Sequence, residues 1–247
     1  MDPLSLELGY TSFLLFLSFC SSIVGASSGF GGGLMVTPFL IPVVGVKGVV
    51  PVMALAATLN NLSRIWVYRR EIRFRSALQL GVVVAPGVFI GTFLYTMMPE
   101  RVAAVVIGFF LIGSVPLRRF LKRRALRPNG SALLGLGFGF GILTGSTPGA
   151  GVLLLSLLMG TGLTGQALIG TDAVIGMAAS MIKVSMFSSF QLLDASRAFL
   201  GLMLGAVTLP GALVARWLLT RMSVKVHTIV TEVLVVVAGL SFLWRAV

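Results

Sequence analysis

Two short runs of small residues carry the most chemical potential in this chain. The first is Ser27-Ser28-Gly29-Phe30-Gly31-Gly32-Gly33 and the second is Gly145-Ser146-Thr147-Pro148-Gly149-Ala150-Gly151. Each lies between two apolar stretches, so each is expected to interrupt a helix in hydrophobic surroundings. Irregular backbone at membrane depth persists only when it is buried in protein or lines a cavity. With no side chains at Gly29, Gly31, Gly32 and Gly33, or at Gly149 and Gly151, the free N–H groups opening the next helix can face a negative charge. The positive end of the helix dipole assists them. Ser27, Ser28, Ser146 and Thr147 add hydroxyl donors. The chemistry these residues suit is anion binding. The competing reading is packing, because Gly29/Gly33 and Gly145/Gly149 keep the small-xxx-small spacing that lets two helices approach closely.

A second group is polar and helical in spacing. Asn60, Asn61 and Arg64 fall within about one turn, with Asn60 and Arg64 on one face. Asp172, Gly176, Ser180 and Lys183 form a single helical stripe, with Thr171 beside Asp172. An ionisable side chain at membrane depth costs about 2.5 to 3.5 kcal/mol and is a functional candidate by default. Asp172 is read as the one carboxylate well inside a span and as the carrier of a coupling proton; the alternative is a hydrogen bond or ion pair that locks two helices. Asp172 and Lys183 are about 16 Å apart along the axis and cannot pair within their helix, so each requires another partner. Lys183 is the cation expected to attract an anion, and Asn60, Asn61 and Thr171 join it as candidate contacts. Arg64 is expected to reach toward the basic loop at 69–75 instead.

Other chemistries find no support. The single histidine, His227, has no partners for a metal site, and the 11 methionines are scattered rather than clustered. Cys20 stands alone, which excludes a disulfide framework and a thiolate metal site. No P-loop glycine-lysine motif is present. No cofactor, metal or catalytic residue is expected.

The elements that must position these residues follow from composition. Of 247 residues 57% are hydrophobic and 11% charged, with mean hydropathy +1.03; soluble domains are about half apolar and a quarter charged. The apolar residues come in long blocks, and a helix needs about 20 of them to cross a bilayer. The net charge of +12 concentrates in short loops at 69–75 and 118–127, as expected of cytoplasmic connections rather than of a nucleic-acid surface. Residues 1–10 carry Asp2 and Glu7 and no basic region, unlike a cleaved signal. The expected fold is all-α and polytopic, with 8 to 10 membrane helices and ten helical segments: 10–26, 31–45, 48–68, 75–97, 101–120, 131–146, 149–161, 165–190, 196–219 and 224–245. The second and seventh are short and follow the glycine runs, which suits half-helices or re-entrant pieces. Trp66, Trp217 and Trp244 fall near span ends, as an aromatic belt requires.

The segments divide into two groups of five. Gly31 aligns with Gly149 and Gly33 with Gly151, and farther on Pro86-Gly87 aligns with Pro210-Gly211 and Met98 with Met222. This predicts a repeat over 1–120, a basic linker at 121–130 and a second repeat over 131–247. Loop charges place 69–75, 118–127 and 216–225 inside, and 1–10, 99–101 and 191–197 outside. Each half then makes an odd number of net crossings, giving inverted repeats with both termini outside.

The run from Ser27 to Pro38, its weaker echo from Gly145 to Gly151 and the two-fold apolar layout resemble the sulfite exporter TauE/SafE family of membrane transporters. The resemblance covers essentially the whole chain. It implies transport of a small sulfur-containing or organic anion, such as sulfite, thiosulfate or a sulfonate, across the bacterial cytoplasmic membrane. Ala150 stands where Gly32 does, and Pro148 where Phe30 does, so the site is not expected to be strictly two-fold. Competing functions are an intramembrane enzyme using Asp172 and Lys183, which the 16 Å gap disfavours, and a membrane subunit that scaffolds a partner. The sequence leaves a homo-oligomer open.

Overall fold

The computed structural model describes residues 3–28, 33–124, 130–211, 214 and 224–246. Among them every regular element is helical: α1 Pro3–Ser28, a 3-10 turn Gly33–Met35, α2 Thr37–Tyr68, α3 Phe74–Met97, α4 Glu100–Arg124, α5 Gly130–Ser146, α6 Gly151–Gly160, α7 Gly165–Ser189, α8 Ala195–Ala206 and α9 Val224–Trp244. The expected segments at 31–45 and 48–68 appear as α2, broken at Gly45, whose φ of 71° and ψ of 168° leave the helical region. Glycine tolerates that backbone; a side chain would be strained there. The expected 196–219 segment runs as α8, a turn at Val207 and a further helical turn at 208–211. The loop 216–223 with Trp217 and Met222, and the linker residues 125–129, lie outside the described residues.

Apolar side chains cover the outside of the molecule as well as its core. Phe89, Phe93 and Met97 on α3 and Phe109 and Phe120 on α4 are exposed, an arrangement water would penalise and hydrocarbon does not. α2, α3, residues 100–117 of α4, and α7 are each long and apolar enough to cross a bilayer. The chain is a multi-pass α-helical membrane protein. Trp66 and Trp244, near helix ends, are both exposed, where an interfacial belt would hold them.

Helix packing is built on small residues. α3 lies along α5, and the contact is glycine on glycine. A Cβ on Gly87 would run into the Phe138 carbonyl, one on Gly91 into that of Ile142, one on Gly141 into that of Val84, and one on Gly145 into that of Val88. Both helices therefore carry glycines four residues apart at the crossing, which brings the backbones close enough for dispersion to hold them in an apolar solvent. Gly211 faces α1 in a related way: a Cβ there would strike Ser22 and come within 3.1 Å of the Phe19 carbonyl. One level along, Leu80 packs on Gly137 and Ser18 Oγ donates to the Leu204 carbonyl at 3.0 Å. α2 packs on both α7 and α8, α7 on both α2 and α3, and α4 on α9.

Candidate functional site

The second break forms for local reasons. Pro148 disfavours helix at the residue before it, so α5 stops at Ser146, and the chain turns through Gly149 at a φ of 78° before α6 starts at Gly151. Ala150, the N-cap of α6, offers no side-chain oxygen to the first turn, which leaves its amides uncapped. Two of the hydroxyls expected to add donors for an anion turn to the backbone instead. Ser146 Oγ donates to the Ile142 carbonyl (2.9 Å) and Thr147 Oγ1 to the Leu143 carbonyl (2.6 Å), so in this conformation both protons are committed to their own helix. Gly145 serves the α3–α5 crossing, so the packing reading is right for that glycine.

The two breaks touch. Leu34, in the turn that ends the first break, seats its side chain on Gly149, where any Cβ would overlap it. Leu34, Met35, Val36, Ser146, Thr147 and Ala150 are all buried. Gly33 opens that 3-10 turn. Gly29, Gly31 and Gly32, and the side chains of Ser27 and Ser28, lie outside the described residues.

Lys183 completes this junction. Its Nζ donates to the carbonyl oxygens of Thr144 (2.8 Å) and Thr147 (3.4 Å), at the C-terminal end of α5. The negative pole of a helix dipole lies there and suits a cation. Lys183 is 6% exposed, and among the described residues no carboxylate pairs with it. Thr144 Oγ1, beside it, is buried without a hydrogen-bond partner. Thr144 carries no signal in the sequence, because a threonine one turn before a helix end is unremarkable until the lysine from another helix arrives.

Arg64 does not reach for the basic loop. It turns across the α2–α7 seam and pairs with Asp172, Nη2 to Oδ2 at 2.8 Å, with the Arg64 side chain 13% exposed. The pull of a buried carboxylate outweighs snorkelling here, since leaving Asp172 alone would cost more than burying Arg64 with it. Arg64 also donates to the Ile169 carbonyl (3.4 Å) and to Asn61 Oδ1 (3.5 Å). Asn61 lies over Gly176, where a Cβ would come within 2.9 Å of its Nδ2. Thr171 Oγ1 accepts from the Arg73 backbone N–H at 3.1 Å, fastening the 69–73 loop to α7. Asn60 is half-buried on α2 beside this cluster. Asp172 and Lys183 thus have separate partners, and nothing brings them together as a catalytic pair.

Two further polar groups escaped the sequence reading. At the Gly45 break, Glu100 Oε1 accepts from the Val46 N–H (3.2 Å), Tyr95 OH donates to the Val46 carbonyl (3.2 Å), and Arg197 reaches the Val44 carbonyl (3.5 Å). The backbone groups freed by the break are thereby satisfied. Glu232, on α9, is a second buried carboxylate beside Asp172. Glu232 pairs with Arg119 of α4 through two hydrogen bonds, one of them Nε to Oε1 at 3.3 Å, and this holds the exposed Arg119 guanidinium above its usual pKa.

Neither the curated proteins nor the solved structures gave a match. A family model did: that of sulfite exporter TauE/SafE matches residues 14–242. Because the match runs from the first helix to the last and takes in both breaks, Lys183 and the Arg64–Asp172 pair, the chain belongs to the sulfite exporter TauE/SafE family of membrane transporters.

Proposed function

We propose that the chain is a secondary transporter of a small sulfur-containing or organic anion, such as sulfite, thiosulfate or a sulfonate, bound where the two breaks meet. Lys183 carries the reading. A buried ammonium with no carboxylate partner among the described residues is costly unless a counter-charge visits it. Two carbonyls take two of its three donors, which leaves one for an anion. Beside it stand the Thr144 hydroxyl and the Gly149 turn that leads into α6, whose first turn has no side-chain cap; the opposite break is the source we assign to the remaining contacts. Asn60, Asn61 and Thr171 line the approach, and Asp172 remains the candidate for coupling to protons.

Two oppositely oriented repeats, 1–120 and 131–247, would supply one break each. Paired contacts support this. Phe19 and Ser22 face Gly211 as Phe138 and Gly141 face Gly87, and Ser18 meets Leu204 as Gly137 meets Leu80. In every case one partner shifts by 119 residues and the other by 124. α2 on α8 matches α7 on α3 in the same sense. The membrane is the bacterial cytoplasmic one, with the 69–75 loop inside and both termini outside.

The test is flux. Purified protein in proteoliposomes should move radiolabelled sulfite, thiosulfate or taurine faster than empty vesicles, with and without an imposed pH gradient. Gly149→Leu, which drives a side chain into Leu34, should abolish that movement. Absence of flux for every anion in correctly folded wild-type protein would remove the assignment.

A further inference from the structure

We infer that the Arg64–Asp172 pair is a latch that closes the α2–α7 seam and opens during the transport cycle. The pair joins helices from the two halves of the sequence at 2.8 Å, and its geometry is poor for a permanent brace. Only one arm is made: Asp172 Oδ1 and Arg64 Nε are both buried without partners. A pair selected for stability would be two-armed and saturated, because a buried ion pair with unmet hydrogen-bonding capacity scarcely breaks even against apolar packing. Water entering the seam would satisfy both orphaned atoms at once. Opening is therefore cheap where closure is barely favourable.

The surroundings fit a closure. Within two turns of α7, Gly170 packs on Tyr68 and Ile72, Thr171 clips the 69–73 loop through the Arg73 N–H, and Gly176 takes the Asn61 side chain across the seam. Above the latch, Asp172, Gly176, Ser180 and Lys183 share one face of α7, and Ser180 and Lys183 are buried. Parting the pair would wet this stripe from the 69–73 end up to Lys183. Arg64 is thus a positioning residue, acting through Asp172 on access to the site.

Accessibility tests this without any substrate, so its outcome is separable from the flux that tests the transport reading on which it rests. In a Cys20→Ser background, Ser180→Cys reports water at the stripe through its rate of reaction with a charged maleimide in proteoliposomes. Asp172→Asn should raise that rate roughly tenfold, the scale of coupling between contacting groups. The exchange Arg64→Asp with Asp172→Arg should return it to within about threefold of the starting rate, since the attraction is restored with reversed ends. If Asp172→Asn does not fold, Arg64→Gln with Asp172→Asn, which buries no lone charge and leaves polar groups that water can reach, takes its place and should label equally fast. Equal rates in all these proteins, or a charge exchange that labels as fast as the single variant, would overturn the latch.

Discussion

Lys183 is held by two backbone carbonyls and by no opposite charge among the described residues, so in the proposed site its remaining donor is the one left for the anion. Hydrogen bonds to charged groups contribute about 1.5 to 3 kcal/mol. Lys183→Met should therefore raise the substrate concentration for half-maximal flux by about 10- to 150-fold. Its melting temperature should change little, because removing a buried charge offsets the loss of a donor for the Thr144 and Thr147 carbonyls. Wild-type affinity in this variant would take Lys183 out of the site. Glu232 makes the opposite case. Its carboxylate is buried and Arg119 is its partner, so Arg119→Ala should lower the melting temperature clearly, while Arg119→Leu with Glu232→Leu should recover it. A melt of the single variant at the wild-type temperature would mean the pair is dispensable. The sequence could not foresee either partnership, since Arg119 and Glu232 are 113 residues apart and Arg64 and Asp172 are 108 apart. Pairing across such distances depends on how each helix is rotated, which helical spacing within one segment does not contain.

Among the elements, the break at the second glycine run was the most legible, because proline and glycine act on their own backbone. Pro148 and Gly149 end α5 whatever surrounds them, and the short α6 follows directly. Glycines that serve packing were harder to separate from glycines that serve a break. Gly145 and Gly149 look alike in sequence, yet Gly145 lies in helix against Val88 and Thr92 while Gly149 turns the chain at positive φ. The α3–α5 crossing supplies a test of that difference. Gly91→Ala places a methyl against the Ile142 carbonyl, whereas Gly139→Ala meets nothing within 4 Å. Overpacking of this kind costs about 1 to 3 kcal/mol, so Gly91→Ala should melt several degrees below Gly139→Ala, which should match wild type. Equal melting of the two would show that the crossing yields at little cost. The Gly45 break was placed correctly between the expected segments 31–45 and 48–68, but its fastening by Tyr95, Glu100 and Arg197 was not, because those three residues belong to three different stretches of chain.

At the scale of the whole molecule, the apolar exterior fixes the solvent and the loop charges suggest the orientation; together they decide what the membrane potential does to the cargo. An uncoupled monovalent anion gains about 2.3 kcal/mol per 100 mV on leaving a negative interior, equivalent to a concentration ratio of roughly 50 across the bilayer. A proton moving with the anion in the same direction would cancel that charge, and the potential would then have no direct hold on the distribution. Asp172, the candidate for coupling, is held by Arg64 in the closed seam, so any proton it carried would be exchanged while the latch stands open. Uncoupled movement is the expected behaviour, because an anion leaving a negative interior needs no second ion to drive it. In proteoliposomes loaded with thiosulfate at its dilute limit, a potassium diffusion potential of about 100 mV, negative inside, should drive each unit of net charge outward toward this ratio, and reversing the potential should drive it inward. Collapsing the pH gradient should leave the final distribution unchanged. A distribution that follows the pH gradient and ignores the potential would assign Asp172 the coupling proton after all, taken up while the latch stands open.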